Sequence, residues 1–159
     1  MATPAAARRP DCRPCPARKR VPKGCITFAV TDDRAEPFVF PGETALIDTA
    51  DRVPATAAVF LFRWSDGKLS LGETNLRMTP LESGKTLCWF VDPPNRPRGR
   101  AEWAASSEAG RVLWSSDGPF AADDAPGADY LPSKIVGRLV GILDKPAEGR
   151  QRSGRDARQ

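Results

Sequence analysis

Between Asp33 and Asp48 the chain reads Asp-Arg-Ala-Glu-Pro-Phe-Val-Phe-Pro-Gly-Glu-Thr-Ala-Leu-Ile-Asp. Pro37 and Pro41 lock φ and remove two backbone donors, so no helix can run through Pro37–Gly42. Gly42 follows Pro41 and can take a positive φ, which predicts a tight turn over Phe40–Glu43. Thr44–Ile47 then reads as a short buried strand. The same punctuation recurs along the chain, which holds 16 Pro and 13 Gly. Apolar runs between these breaks are strand-sized, and none approaches the ~20 residues of a membrane span.

The runs predict strands by their alternation and their β-branched and aromatic content. They are Cys25–Val30, Ala45–Ile47, Ala57–Trp64, Leu69–Leu76, Thr86–Val91, Arg111–Ser115 and Lys134–Leu143, the last bent at Gly137 or Gly141. Ser65-Asp66-Gly67-Lys68 carries the Asp-Gly pair favoured by a type I′ hairpin. Met78–Lys85, Asp92–Gly99 and Asp117-Gly-Pro read as turns or loops, and Ala121–Leu131 as an acidic surface loop. Ala101–Ala109 fits a short helix or a polar strand equally. Seven or eight short strands without a long helix predict a mainly β fold in one domain over residues 25–143.

Charge divides the chain differently. Residues 1–24 hold seven Lys and Arg against one acid, a net +6, and residues 145–159 hold five against two, a net +3. The whole chain carries +4, so the residues between carry −5. An acidic body between two basic, disordered tails is expected, with order beginning near Lys23. Such tails attract nucleic acid weakly, without sequence preference and in a salt-sensitive way. No apolar leader precedes the body, so a soluble cytoplasmic protein without membrane contact is expected.

Histidine is absent, which excludes imidazole bases and the commonest zinc ligand. Cys12 and Cys15 form a C-x-x-C, but only Cys25 and Cys88 remain and they make no second pair. No metal site and no cofactor are expected. Cys12 and Cys15 read as chance tail cysteines or a redox pair, and Cys88 as a small buried hydrophobe. Ser83-Gly84-Lys85-Thr86 looks like the end of a phosphate loop, but Thr79 stands where its leading glycine belongs. Trp64, Trp89, Trp103, Trp114, Phe60, Phe62 and Phe90 read as core aromatics, with Trp103 the one expected at the surface.

The Asp33–Asp48 string also resembles the segment around the nucleophile in LexA-like and lambda-type phage repressors. These are self-cleaving serine peptidases related to signal peptidases, and they write Asp-Ser-Met-Glu-Pro, then Pro-Gly-Asp, then a strand ending in Asp. Asp33, Glu36, Pro37, Pro41, Gly42 and Asp48 match without a gap, and Glu43 stands for the second acid. Lys134–Leu143 is similar to the family's last strand. The resemblance implies an irregular mixed β fold and pairing into a homodimer.

It also implies a lost activity. The family uses a Ser-Lys dyad in which a buried lysine, stripped of its charge, takes the serine proton. Arg34 occupies the serine position here, and Gly72 aligns near the lysine. A guanidinium has no lone pair for attack and stays charged. The family's cleaved bond is missing too, since Gly24-Cys25 has the order reversed. No catalytic residue is expected. The implied function is a non-catalytic binding or dimerisation module with Arg34 as a candidate ligand-binding residue. The alternatives are an active peptidase with a displaced dyad, for which Ser65–Lys68 and Ser133–Lys134 are the nearest pairs, and a nucleic-acid-associated protein acting through its tails.

Overall fold

The computed structural model describes residues 15–81, 84–97 and 115–144. Its elements are β1 (Ala17–Arg18), β2 (Cys25–Ala29), β3 (Thr44–Asp48), β4 (Ala58–Arg63), β5 (Leu69–Leu81), β6 (Gly84–Asp92), β7 (Asp117–Ala121), α1 (Tyr130–Lys134) and β8 (Ile135–Leu143). The strands join in one sheet in the order β2-β3-β8-β4-β5-β6-β7. All these pairings are antiparallel. β1 lies off this path and pairs with β8 in parallel, Ala17 opposite Ile142. The fold is mainly β, as the turn-punctuated sequence predicts.

β4 shows why the central run is apolar at every position. Val59 and Leu61 face one cluster with Val30, Ala35, Val39, Ala45, Ile47, Leu71 and Ile142. Ala58, Phe60 and Phe62 face another with Val91, Leu131 and Ile135. A strand covered on both faces has no polar side to alternate with. The segment after β2 supplies much of the first cover, so the Pro37–Pro41 bend is a packing element as well as a connection. Its expected turn forms: Glu43 N–H donates to the Phe40 carbonyl at 3.1 Å, with Gly42 at φ 85°.

The structure corrects several readings. Order begins earlier than Lys23. Cys15 is buried in the first cluster, and Ile142 N–H donates to the Pro16 carbonyl at 2.9 Å. A small apolar side chain followed by a strand-compatible dipeptide was hidden by the surrounding charge. β5 runs on through the expected turn at Met78 and meets β6 in register to Leu81–Gly84. Pro80 is tolerated because the ladder to β4 stops at the Ala58–Thr74 pair, so no neighbour needs the missing N–H on that side. Asp117-Gly-Pro is the start of β7, paired with β6 at the sheet edge. The Ser65–Lys68 hairpin is not type I′. Only Gly67 has positive φ, at 83°, and its N–H donates to the Trp64 carbonyl, giving a type I turn closed by a glycine bulge. The end of the expected acidic loop is helical, as α1. β8 bends by register shifts beside both Gly137 and Gly141.

Residues 1–14 with Cys12, residue 83 of the Ser-Gly-Lys-Thr string, Ala101–Ala109 with Trp103, positions 111–114 of the expected Arg111–Ser115 strand, and the tail 145–159 lie outside the described residues.

Candidate functional site

Two strands near Arg34, β2 and the start of β5, each have an edge without a partner strand among the described residues. In the β2–β3 ladder Val30 N–H donates to the Glu43 carbonyl and Thr49 N–H to the Gly24 carbonyl. Antiparallel alternation then turns the Cys25, Thr27 and Ala29 backbone groups outward. β2 ends the sheet, so among the described residues no strand covers that edge. On β5 the ladder to β6 begins only at Glu73. Trp64 N–H donates to the Lys68 carbonyl, which sets Ser70 and Gly72 toward β4 and leaves the Leu69 and Leu71 backbone facing away.

A cleft lies between the end of β2 with the turn that follows it and the uncovered start of β5. Its narrow part, about 60 Å³, is lined by Phe28, Val30, Asp32, Arg34, Leu69 and Leu71 among others. It opens into a groove of about 600 Å³ reached by Trp64, Asp66, Lys68, Ser115 and Asp117. Arg34 and Asp32 border both parts.

The Arg34 turn is fixed through its backbone. Asp32 Oδ1 accepts the Arg34 N–H at 3.1 Å. Asn95 N–H donates to the Arg34 carbonyl at 3.0 Å, and its side-chain amide to the Asp33 carbonyl at 3.3 Å. The guanidinium itself forms no ion pair with any carboxylate among the described residues. The local pairing with Asp32, Asp33 or Glu36 that the sequence suggests does not form, and Asp32 serves the backbone of the turn instead. Arg34 is exposed, held at its root and open at its tip.

Asn95 is placed by an ion cluster that the sequence reading missed. Glu73 and Asp92 are directly opposed across β5 and β6, and both are buried. Two opposed carboxylates destabilise a sheet unless they are compensated. Here the Asn75 amide donates to both, at 3.1 Å to Glu73 Oε1 and 2.8 Å to Asp92 Oδ2. Arg77 pairs with Asp92 through both terminal nitrogens, and Ser116 donates its hydroxyl to the same carboxylate. Arg96 Nη2 donates to Glu73 Oε1 at 2.8 Å. Burial pushes the Asp92 carboxyl up, but the hydrogen bonds from Arg77, Ser116 and Asn75 and the Arg77 charge outweigh it, leaving the group below its ordinary value. The cluster pins the loop after β6, and that loop pins the Arg34 turn. The available signal was polar residues at every second position of β5, Glu73, Asn75 and Arg77, set against an acid at the end of β6.

The remaining predicted site residues fall as follows. Gly72 points away from the cleft, into the second core. A Cβ placed there would lie 2.4 Å from Val91 Cγ1 and 3.3 Å from the Phe62 ring. Leu69 and Leu71, one residue to either side, line the cleft instead. Lys68 is 83% exposed and lies 3.8 Å from Asp66, without the burial that a lysine base requires. Ser70 borders the cleft and accepts the Trp64 indole N–H at 2.8 Å. Ser133 donates to the Tyr130 carbonyl, while the Lys134 ammonium lies 5.2 Å above the Tyr130 ring. Among the described residues no serine hydroxyl contacts a lysine amine, and no three His, Cys, Asp or Glu side chains converge to hold a metal. Phe60 and Phe62 are buried, with Trp64 and Trp89 packed beside them. Phe90 lies under the Arg77 guanidinium at 5.1 Å.

No family model, characterised protein or solved structure matches this chain. The likeness to LexA-like peptidases therefore rests on the sequence resemblance alone. Among the described residues no helix is long and apolar enough to cross a membrane.

Proposed function

We propose that this chain is a LexA-like peptidase domain without its dyad, retained to hold an extended peptide beside Arg34 and not to cut it. The observation that carries this reading is the cleft along the uncovered Leu69–Leu71 edge of β5, closed on its other side by the end of β2, with an open guanidinium at its head. An unpaired edge offers backbone donors and acceptors to an added strand, and alternate side chains of that strand then select pockets. Arg34 supplies the selective contact, a bidentate bond to a carboxylate on the peptide. A cleaving enzyme would need a hydroxyl where Arg34 stands and a neutral amine near Gly72, where the resemblance puts the family lysine. Pairing of two such domains follows from the same resemblance and belongs to this proposal.

An array of immobilised peptides probed with the full chain tests it. Acidic extended peptides should be retained by the native protein and lost with Arg34→Ala, or with Thr27→Pro at the β2 edge. Intact-mass measurement after alkaline incubation should return the undivided chain and undivided peptides. Fragments, or retention indifferent to both substitutions, would refute the reading.

A further inference from the structure

A second groove opens elsewhere on the sheet, at the start of β8. It has a volume of about 480 Å³ and is lined by Arg52, Arg63, Trp64, Ser65, Gly67, Ser133, Lys134, Ile135 and Val136, of which Arg52, Arg63 and Lys134 carry charge. The three cations come from three separate places: the connection after β3, the last residue of β4 and the end of α1. No carboxylate lines the groove. None of the three forms an ion pair among the described residues, whereas neighbouring Arg138 is engaged by Asp51 at 3.4 Å.

The local chemistry aims these charges outward. Arg52 Nε donates to the Thr49 carbonyl at 3.0 Å, which fixes the side chain and leaves its terminal nitrogens for another partner. Lys134 rests over the Tyr130 ring and keeps its ammonium donors. The residues between the basic ends carry a net −5, so three uncompensated cations around one concavity run against the body's own charge. Mutual repulsion of like charges costs stability, and a polyanion relieves it. The Trp64 ring is stacked with Phe62 at 5.1 Å and with Phe120 at 6.3 Å, so it is engaged inside the protein and not held out as a platform for a base.

We infer that this groove binds the phosphate backbone of single-stranded nucleic acid, without reading its bases. Two exposed arginines and a half-buried lysine spread along an open groove suit a chain of phosphates better than one enclosed phosphate. This stands apart from the peptide cleft, whose lining shares only Trp64 with it.

The test uses the full chain and a labelled oligothymidylate, read by fluorescence anisotropy over a range of salt. The variant Arg52→Ala/Arg63→Ala/Lys134→Ala is compared with Lys85→Glu/Thr86→Glu, which makes the same charge change at exposed sites of β6 outside both the groove and the basic tails. The groove variant should bind at least about tenfold more weakly at low salt. Its log affinity against log salt should flatten by about 2, since each single-strand phosphate contact contributes roughly 0.7. The control should keep the native slope to within about one contact by the same measure. Equal losses in the two variants would overturn the assignment. So would inorganic phosphate or a mononucleotide displacing the oligomer at equal phosphate concentration, because the groove would then hold a single phosphate.

Discussion

Arg77 and Arg34 sit on adjoining parts of one surface and are treated in opposite ways. Arg77, with Arg96, closes against the buried Asp92 and Glu73, so that two acids, two cations and an amide pair with one another. Arg34 is held only by its backbone and leaves its charge unspent beside an open cleft. The difference separates structure from function. Buried charges here are paired because an orphan would cost several kcal/mol. An exposed arginine costs nothing to leave open, so its openness is free to serve a ligand. The link between the two is Asn95, which carries the rigidity of the cluster to the Arg34 turn.

The largest expected effect breaks the paired side. Asp92→Asn leaves Arg77 and Arg96 facing a neutral amide and should destabilise the fold by about 3 kcal/mol, the low end for a broken buried pair because Arg77 is partly exposed. Chemical denaturation of the variant and the native chain measures it. Next comes Gly72→Ala, which drives a methyl into Val91 and should cost about 1–3 kcal/mol. A smaller effect appears with acid. The Asp92 carboxyl is lowered in the fold, so its contribution is complete above the unfolded value of 3.8 and is lost as pH falls through the lower folded value. Native stability should drop more steeply below about pH 3.8 than that of Asp92→Asn, as thermal melts across that range would report. Smallest of all is Arg34→Ala. Stability should change by no more than about 0.5 kcal/mol, while peptide retention is lost. A large stability loss from Arg34→Ala would erase the contrast between the two arginines.

The strands of the body were legible where burial is one-sided or complete. Ala58–Arg63 and Ile135–Leu143 announce themselves because apolar residues fill both faces or alternate. The Pro41–Gly42 turn was legible because its residues fit no other geometry. The distal half of the β5–β6 hairpin was not, since Pro80 reads as a breaker unless one knows that β4 has already ended. Neither was β1, whose two residues gain their strand character only from β8 across the chain. The site divided the same way. Arg34 was found from its place in a string, whereas the ion cluster needed the register that sets Glu73 opposite Asp92. Gly72 aligns near the family lysine by resemblance, and the pleat, with its period of two, turns that position away from the cleft and its neighbours Leu69 and Leu71 toward it.

The central claim concerns two strand edges that wait for a partner, and backbone hydrogen exchange reads them one by one. In the free protein the Thr27 and Leu71 amides should exchange fast, because neither has a strand neighbour on its outer side among the described residues. With an acidic peptide selected from the array, both should slow together, and the peptide should be recovered whole. Slowing confined to other strands, or recovery of the peptide in two pieces, would contradict the account.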